Sequence, residues 1–142
     1  METINAATII VETTVNASVE KVWQFWTEPQ HITSWCQASD DWHAPYADNN
    51  LMVAGKFKTT MAAKDGSFSF DFEGVYTRID TNKAIEYTIN DGRKVSINFS
   101  SNGSTTTIVK SFDAENTHPI ELQKQGWQAI LVNFKKYTEA TN

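Results

Sequence analysis

Changes in the spacing of apolar positions divide the chain into zones. Residues 8–15, TIIVETTV, alternate, with Ile9, Val11, Thr13 and Val15 on one side and a high content of β-branched residues, which predicts a strand. The period then lengthens. In residues 18–26, SVEKVWQFW, the positions Val19, Val22, Trp23 and Trp26 fall at i, i+3, i+4 and i+7, which predicts an amphipathic helix. Thr27-Glu28-Pro29-Gln30 reads as the start of a second, short helix running to about Trp35, with Thr27 capping the N–H of Gln30 and Pro29 in the first turn. Residues 36–55 show no period. They are polar and contain Pro45, and they read as a long irregular loop carrying Trp42 and Tyr46.

From residue 56 the alternation returns as a meander. Strand-like runs lie near 56–63, 68–79, 84–90, 93–100 and 105–113. They are separated by Asp65-Gly66, Asp80-Thr81-Asn82, Asp91-Gly92 and Asn102-Gly103, turn sequences that tolerate the positive φ angles of tight hairpins. Each of four runs has one apolar face: Phe57 and Met61; Phe68, Phe70 and Phe72; Ile85, Tyr87 and Ile89; Val95, Ile97 and Phe99. Gly74 interrupts its run, where a bulge or bend would let a long strand curve. The helical period resumes over 119–139, with Pro119 at the first helical position and a stripe of Trp127, Ile130, Leu131, Phe134 and Tyr137. That stripe is the natural cover for the apolar sheet face. The expected fold class is α+β, with the last helix laid across a curved antiparallel sheet.

The 142 residues fit a single domain, 1–142, with 40% hydrophobic, 20% charged and 12% aromatic residues. The formal net charge of −5, without a Lys/Arg cluster, argues against nucleic-acid binding. No apolar run approaches the ~20 residues of a membrane-spanning helix. The first residues lack the basic and apolar regions of a secretory signal, and the lone Cys36 has no internal disulfide partner, so a cytoplasmic protein is expected.

The segments NASVEKVWQFWTEPQHITSW, DGSFSFDFEGVY, IEYTINDGRKV and GWQAILVNFKKYTE together resemble the homologues of the activator of heat-shock protein 90 ATPase. That family lies within the START-like (SRPBCC) superfamily, which has the birch-pollen-allergen (Bet v) fold. The resemblance runs from about Val11 to Glu139 and rests on the order and spacing of all four segments. It implies a helix-grip fold, in which the long C-terminal helix and a strongly curved sheet enclose a cavity, often for an apolar ligand. Two positions depart from the family's habit: Ala17-Ser18 stands where Ala-Pro is common, and Ala54-Gly55 where a double glycine is common. The eukaryotic activator carries an extra N-terminal domain for its chaperone, for which 142 residues leave no room, so the resemblance implies a chaperone partner less strongly than a ligand.

These readings converge on one volume. Phe57, Met61, Phe70, Phe72, Tyr87, Phe99, Trp127, Leu131 and Phe134 are expected to face the space between sheet and last helix, with Trp42 and Tyr76 completing a binding set for an apolar small molecule. A filled core would use the same residues. Gly126, inside the last helix, marks a close approach, a kink or a ligand contact. An enzyme of cyclase or dehydratase type would need an inward acid or base, for which His43, Glu73, Tyr76 and Arg93 are the candidates, Glu73 being expected on the solvent face. No metal site and no cofactor is expected. One Cys and 3 His are too few for a zinc site, and His31, Asp40, Asp41 and His43 match no ligand spacing. No Gly-rich phosphate loop or Ser-His-Asp order occurs. Exposed sheet edges and the loop aromatics Trp42 and Tyr46 leave a homodimer open.

Overall fold

The computed structural model describes residues 8–37 and 39–141. Residues 1–7, part of the stretch without a secretory-signal pattern, residue 38, inside the predicted loop, and residue 142 lie outside the described residues. The elements in chain order are β1 (Thr8–Val15), α1 (Val19–Thr27), α2 (Pro29–Trp35), β2 (Trp42–Asn49), β3 (Lys56–Ala63), β4 (Ser69–Asp80), β5 (Ala84–Ile89), β6 (Lys94–Asn102), β7 (Thr105–Asp113) and α3 (Ile120–Ala140). The seven strands form one antiparallel sheet in the order β1-β7-β6-β5-β4-β3-β2. The sheet curls into a half-barrel around the C-terminal helix, so the architecture is the α+β helix-grip fold that the sequence pattern predicts.

Burial follows the alternation. On β7 the buried positions are Thr106, Ile108, Lys110 and Phe112, and on β6 they are Val95, Ile97 and Phe99. α1 begins where Ser18 accepts a hydrogen bond from the N–H of Lys21 and buries Val22, Trp23, Phe25 and Trp26. Its end differs from the expected capping box. Thr27 is the last residue of α1, and its hydroxyl donates back to the carbonyl of Trp23 at 2.8 Å. Glu28 takes the cap position of α2 without a side-chain cap, and Pro29 supplies the first-turn φ. Satisfying a carbonyl one turn back competes with capping for a short hydroxyl side chain, and here it wins.

The larger difference lies in residues 36–55, where the structure has a strand in place of the expected loop. β2 occupies the edge beside β3, with its register broken between His43 and Tyr46, around Pro45. An edge strand needs only one bonded side, so it tolerates a proline at a bulge and a polar sequence that would not suit a central strand. The irregularity predicted at Gly74 also falls elsewhere. The β4–β5 register slips between Tyr76 and Arg78, while Gly74 pairs regularly with Ile89 and Phe57. Gly74 is required for proximity instead: a Cβ there would sit 2.5 Å from the carbonyl oxygen of Thr88 and 3.0 Å from the ring of Phe57.

α3 is anchored by its C-terminal half. Phe134 is fully buried, edge-on to Trp26 and Trp35 at ring-centroid distances of 4.8 and 4.9 Å. Phe99 meets Trp23 and Trp26 on the sheet side of the same cluster. This end of the interior is solid aromatic packing. The N-terminal half of α3 spans a less densely filled region.

Candidate functional site

Beneath that half-helix lies a cavity of about 470 Å3, within the ~300–1,000 Å3 range of small-molecule sites. Its helical wall is Gln123, Gly126, Trp127 and Ile130 of α3, with Trp26 of α1 and Ile32, Trp35 and Cys36 from α2 and its end. Its sheet wall comes from β3 (Phe57, Thr59, Met61), β4 (Phe70, Phe72, Tyr76), β5 (Ile85, Tyr87) and β7 (Lys110). Ser39, Asp48 and Phe70 are exposed members of the lining, so solvent reaches it there.

Of the eleven residues expected to bind a ligand, Trp42, Phe57, Met61, Phe70, Phe72, Tyr76, Tyr87 and Trp127 line this space. Phe99, Leu131 and Phe134 do not. They face the same side of the sheet and helix but belong to the packed end, because the bulk of Trp26 and Trp35 fills the interior there. Trp127 forms one wall. It stacks on Phe112 at 3.8 Å and meets Phe72 edge-on at 6.0 Å. Trp42 sits with Phe68 and Phe70 in a loose aromatic group at 6.0–6.1 Å. Phe68, expected inward, is 58% exposed.

A Cβ added at Gly126 would meet no heavy atom within 4 Å. This glycine therefore does not serve a close helix–sheet approach. Its missing side chain is part of the cavity volume.

The polar rim is organised by hydrogen bonds between elements. The Tyr76 hydroxyl donates to Asn49 Oδ1 at 2.5 Å, and Asn49 Nδ2 donates to the carbonyl of Thr27 at 2.6 Å. These links tie the end of edge strand β2 to the α1–α2 junction and hold that side of the cavity. Gln123 braces the approach to α3. It accepts from the N–H of Glu115 and donates to the carbonyls of Glu115 and His118. Arg93 lines the cavity as expected, with its Nε donating to Asp91 at 2.8 Å. His43 is exposed and lies off the cavity, as does Glu73, which points away from it between inward Phe72 and Gly74. His31 is stacked on Phe25 and hydrogen-bonded through Nδ1 to the Tyr137 hydroxyl at 2.7 Å.

The interior also holds titratable groups that sequence reasoning missed or left inert. Burial pushes the Cys36 thiol up to about 11, with nearby Lys110 pulling weakly the other way. Burial raises the Tyr76 and Tyr87 hydroxyls as well. Lys110 is only 9% exposed, and burial brings its ammonium down to about 8. Its Nζ lies 4.5 Å from the Trp127 ring centroid and 5.4 Å from that of Trp26. The signal for Lys110 was present in the sequence: it occupies an inward position of the alternating run Thr106, Ile108, Lys110, Phe112. Trp26 was marked by the apolar face of α1, but Trp35 and Cys36 carried no such signal, since only tertiary packing seats α2 against β2 and brings its end to the cavity.

Comparison with known proteins agrees with this fold. The family described as "Activator of Hsp90 ATPase homolog 1-like protein" matches residues 16–139. The chain belongs to this family. Among solved structures, the AHSA1-like protein of Aeromonas hydrophila is 41% identical over 94% of this chain and 93% of its own, with a TM-score of 0.89. Protein Chr148 of Cytophaga hutchinsonii is 62% identical over 94% and 92% of the two chains, with a TM-score of 0.81. Protein CV1439 of Chromobacterium violaceum, at 18% identity and a TM-score of 0.83 over 93% and 96%, shares the fold. Comparison with curated proteins finds no match. Ala54, in the Ala54-Gly55 pair that precedes β3, adopts φ 70°, the left-handed region that a glycine would occupy without strain.

Proposed function

We propose that this AHSA1-like chain binds an apolar small molecule between the curled sheet and the N-terminal half of α3. The observation that carries the reading is the unfilled volume. A domain with this many aromatic residues packs one end of its interior solid and leaves about 470 Å3 open at the other. Native interiors are close-packed, and an apolar-walled cleft of that size, reached by solvent, leaves aromatic surface wet that a guest would cover. The aromatic walls supply apolar contact, and Asn49, Tyr76, Arg93 and Gln123 supply orienting polar groups.

The test is a fluorescence titration with N-phenyl-1-naphthylamine, a neutral apolar probe, backed by native mass spectrometry of freshly purified protein. Binding to the wild type with at least a tenfold loss in Gly126→Leu is the expected result, because leucine at that position projects into open space and fills it. No binding by the wild type, or equal binding by the variant, refutes the cavity reading.

Of the four acid–base candidates for the enzyme alternative, Glu73 and His43 lie off the cavity, while Tyr76 and Arg93 line it, Arg93 paired with Asp91. The family description supports a second reading, an interaction with a heat-shock protein 90 homologue. Its check is the ATPase rate of that chaperone with and without the protein, and an unchanged rate rejects it.

A further inference from the structure

We infer that the occupant of this cavity is amphipathic, an apolar body bearing one carboxylate that pairs with Lys110 Nζ. The inference rests on the cavity reading above and adds the chemistry of the guest. Lys110 is the one charged side chain among the described buried residues, and β7 directs it inward between Ile108 and Phe112. Among the described residues no carboxylate lies within salt-bridge distance of its ammonium.

The other charged members of the lining do not serve as its counterion. Arg93 is paired with Asp91. Glu115 is turned to His118 and to the N–H groups of Thr117 and His118. Asp48 is exposed and does not act on Lys110. What faces the ammonium is the π-surface of Trp127 and Trp26, with the neutral Cys36 thiol nearby, in a cavity that solvent can reach.

That arrangement discriminates between guests. A wholly apolar molecule would expel the water that solvates Lys110 and leave a buried charge supported only by two rings. Uncompensated burial of an ion is heavily penalised, and a cation–π contact recovers only part of the loss. A guest carboxylate replaces the expelled water with a charge-assisted hydrogen bond in a low-dielectric site. Its apolar remainder then extends along the aromatic walls past Gly126 toward Phe70, where the cavity is exposed.

The experiment compares each of two acids with its alcohol by isothermal titration calorimetry: laurate with dodecanol, and naphthalene-2-carboxylate with naphthalene-2-methanol. The pairs separate a flexible chain from a flat ring system. The wild type should bind one acid at least tenfold more tightly than its alcohol. Lys110→Met should abolish that preference, and Lys110→Arg, which keeps the charge, should retain it, with thermal unfolding used to verify that each variant folds. Equal affinity for acid and alcohol in both pairs, or a preference that survives Lys110→Met, overturns the inference. Calorimetry reads the acids directly, so failure of the neutral fluorescent probe strikes the apolar-cavity reading separately.

Discussion

Replacing Lys110 with methionine should stabilise the protein at neutral pH and lose that advantage in alkali. Methionine keeps the length and apolar stem of lysine but removes the ammonium. A value of about 8 in place of the ordinary 10.5 means that folding disfavours the charged form. At 1.36 kcal/mol per pH unit, the wild-type fold carries a cost of about 3 kcal/mol wherever lysine is charged in both states. The sign follows from the lowered value. The unfolded chain binds the proton more tightly, so the cost is fully present below about pH 8 and fades as the pH rises toward 10.5. The variant also forfeits cation–π contacts with Trp127 and Trp26, worth about 1–2 kcal/mol together. The expected net gain at pH 7 is therefore about 1–2 kcal/mol. Urea unfolding of both proteins at pH 7 and pH 10 measures it. Cys36 works in the opposite direction above pH 9, because its raised value makes the fold lose stability as the unfolded thiol ionises. Because the charges of Cys36 and Lys110 act on each other, measuring the difference between the two proteins in a Cys36→Ser background isolates Lys110. That difference should shift by about 2 kcal/mol toward the wild type between the two pH values. A variant less stable than the wild type at pH 7, or a difference independent of pH, would show that the ammonium is adequately solvated where it stands.

Three other substitutions or reactions probe the same structure. Gly74→Ala should destabilise the protein by about 2 kcal/mol in urea unfolding, because its Cβ would press on the backbone oxygen of Thr88 rather than on a movable side chain; an unchanged midpoint would mean that β4 and β5 separate without cost. Ala54→Gly should raise stability by about 0.5–1 kcal/mol by relieving the positive φ at that turn, and a loss of stability would contradict the strain. Labelling of Cys36 by a disulfide reagent at pH 8 should run about 100-fold slower in the folded than in the urea-unfolded protein. Its raised value leaves about a thousandth of the thiol ionised, against about a tenth for a free one. Similar rates in the two states would place the thiol in contact with water.

The α+β order and its strands were legible because their periods are unambiguous. β3 and β7 lie where the alternation puts them, at Lys56–Ala63 and Thr105–Asp113, and α3 follows the stripe from Trp127 to Tyr137. β2 was not legible. Its pairing comes from β3, while its own sequence, with Pro45 and scattered Asp and Asn, reads as loop. An edge strand is specified by its neighbour's free hydrogen-bonding groups more than by its own side chains.

Within the central strands and helices the sequence by itself determined which residues face inward, because period fixes the face and the face fixes what is buried; Phe68, at the open end before β4, escaped that rule. The sequence did not determine which inward residues fill space and which surround it. Phe134 and Trp127 belong to one stripe, yet one is locked between Trp26 and Trp35 and the other walls a cavity. That division depends on how far the curled sheet stands from each half of α3, a distance set by the joint packing of several elements. The same packing encloses Lys110 beneath Trp127 with no carboxylate in salt-bridge distance among the described residues, which is the feature on which the proposed preference for an acid rests.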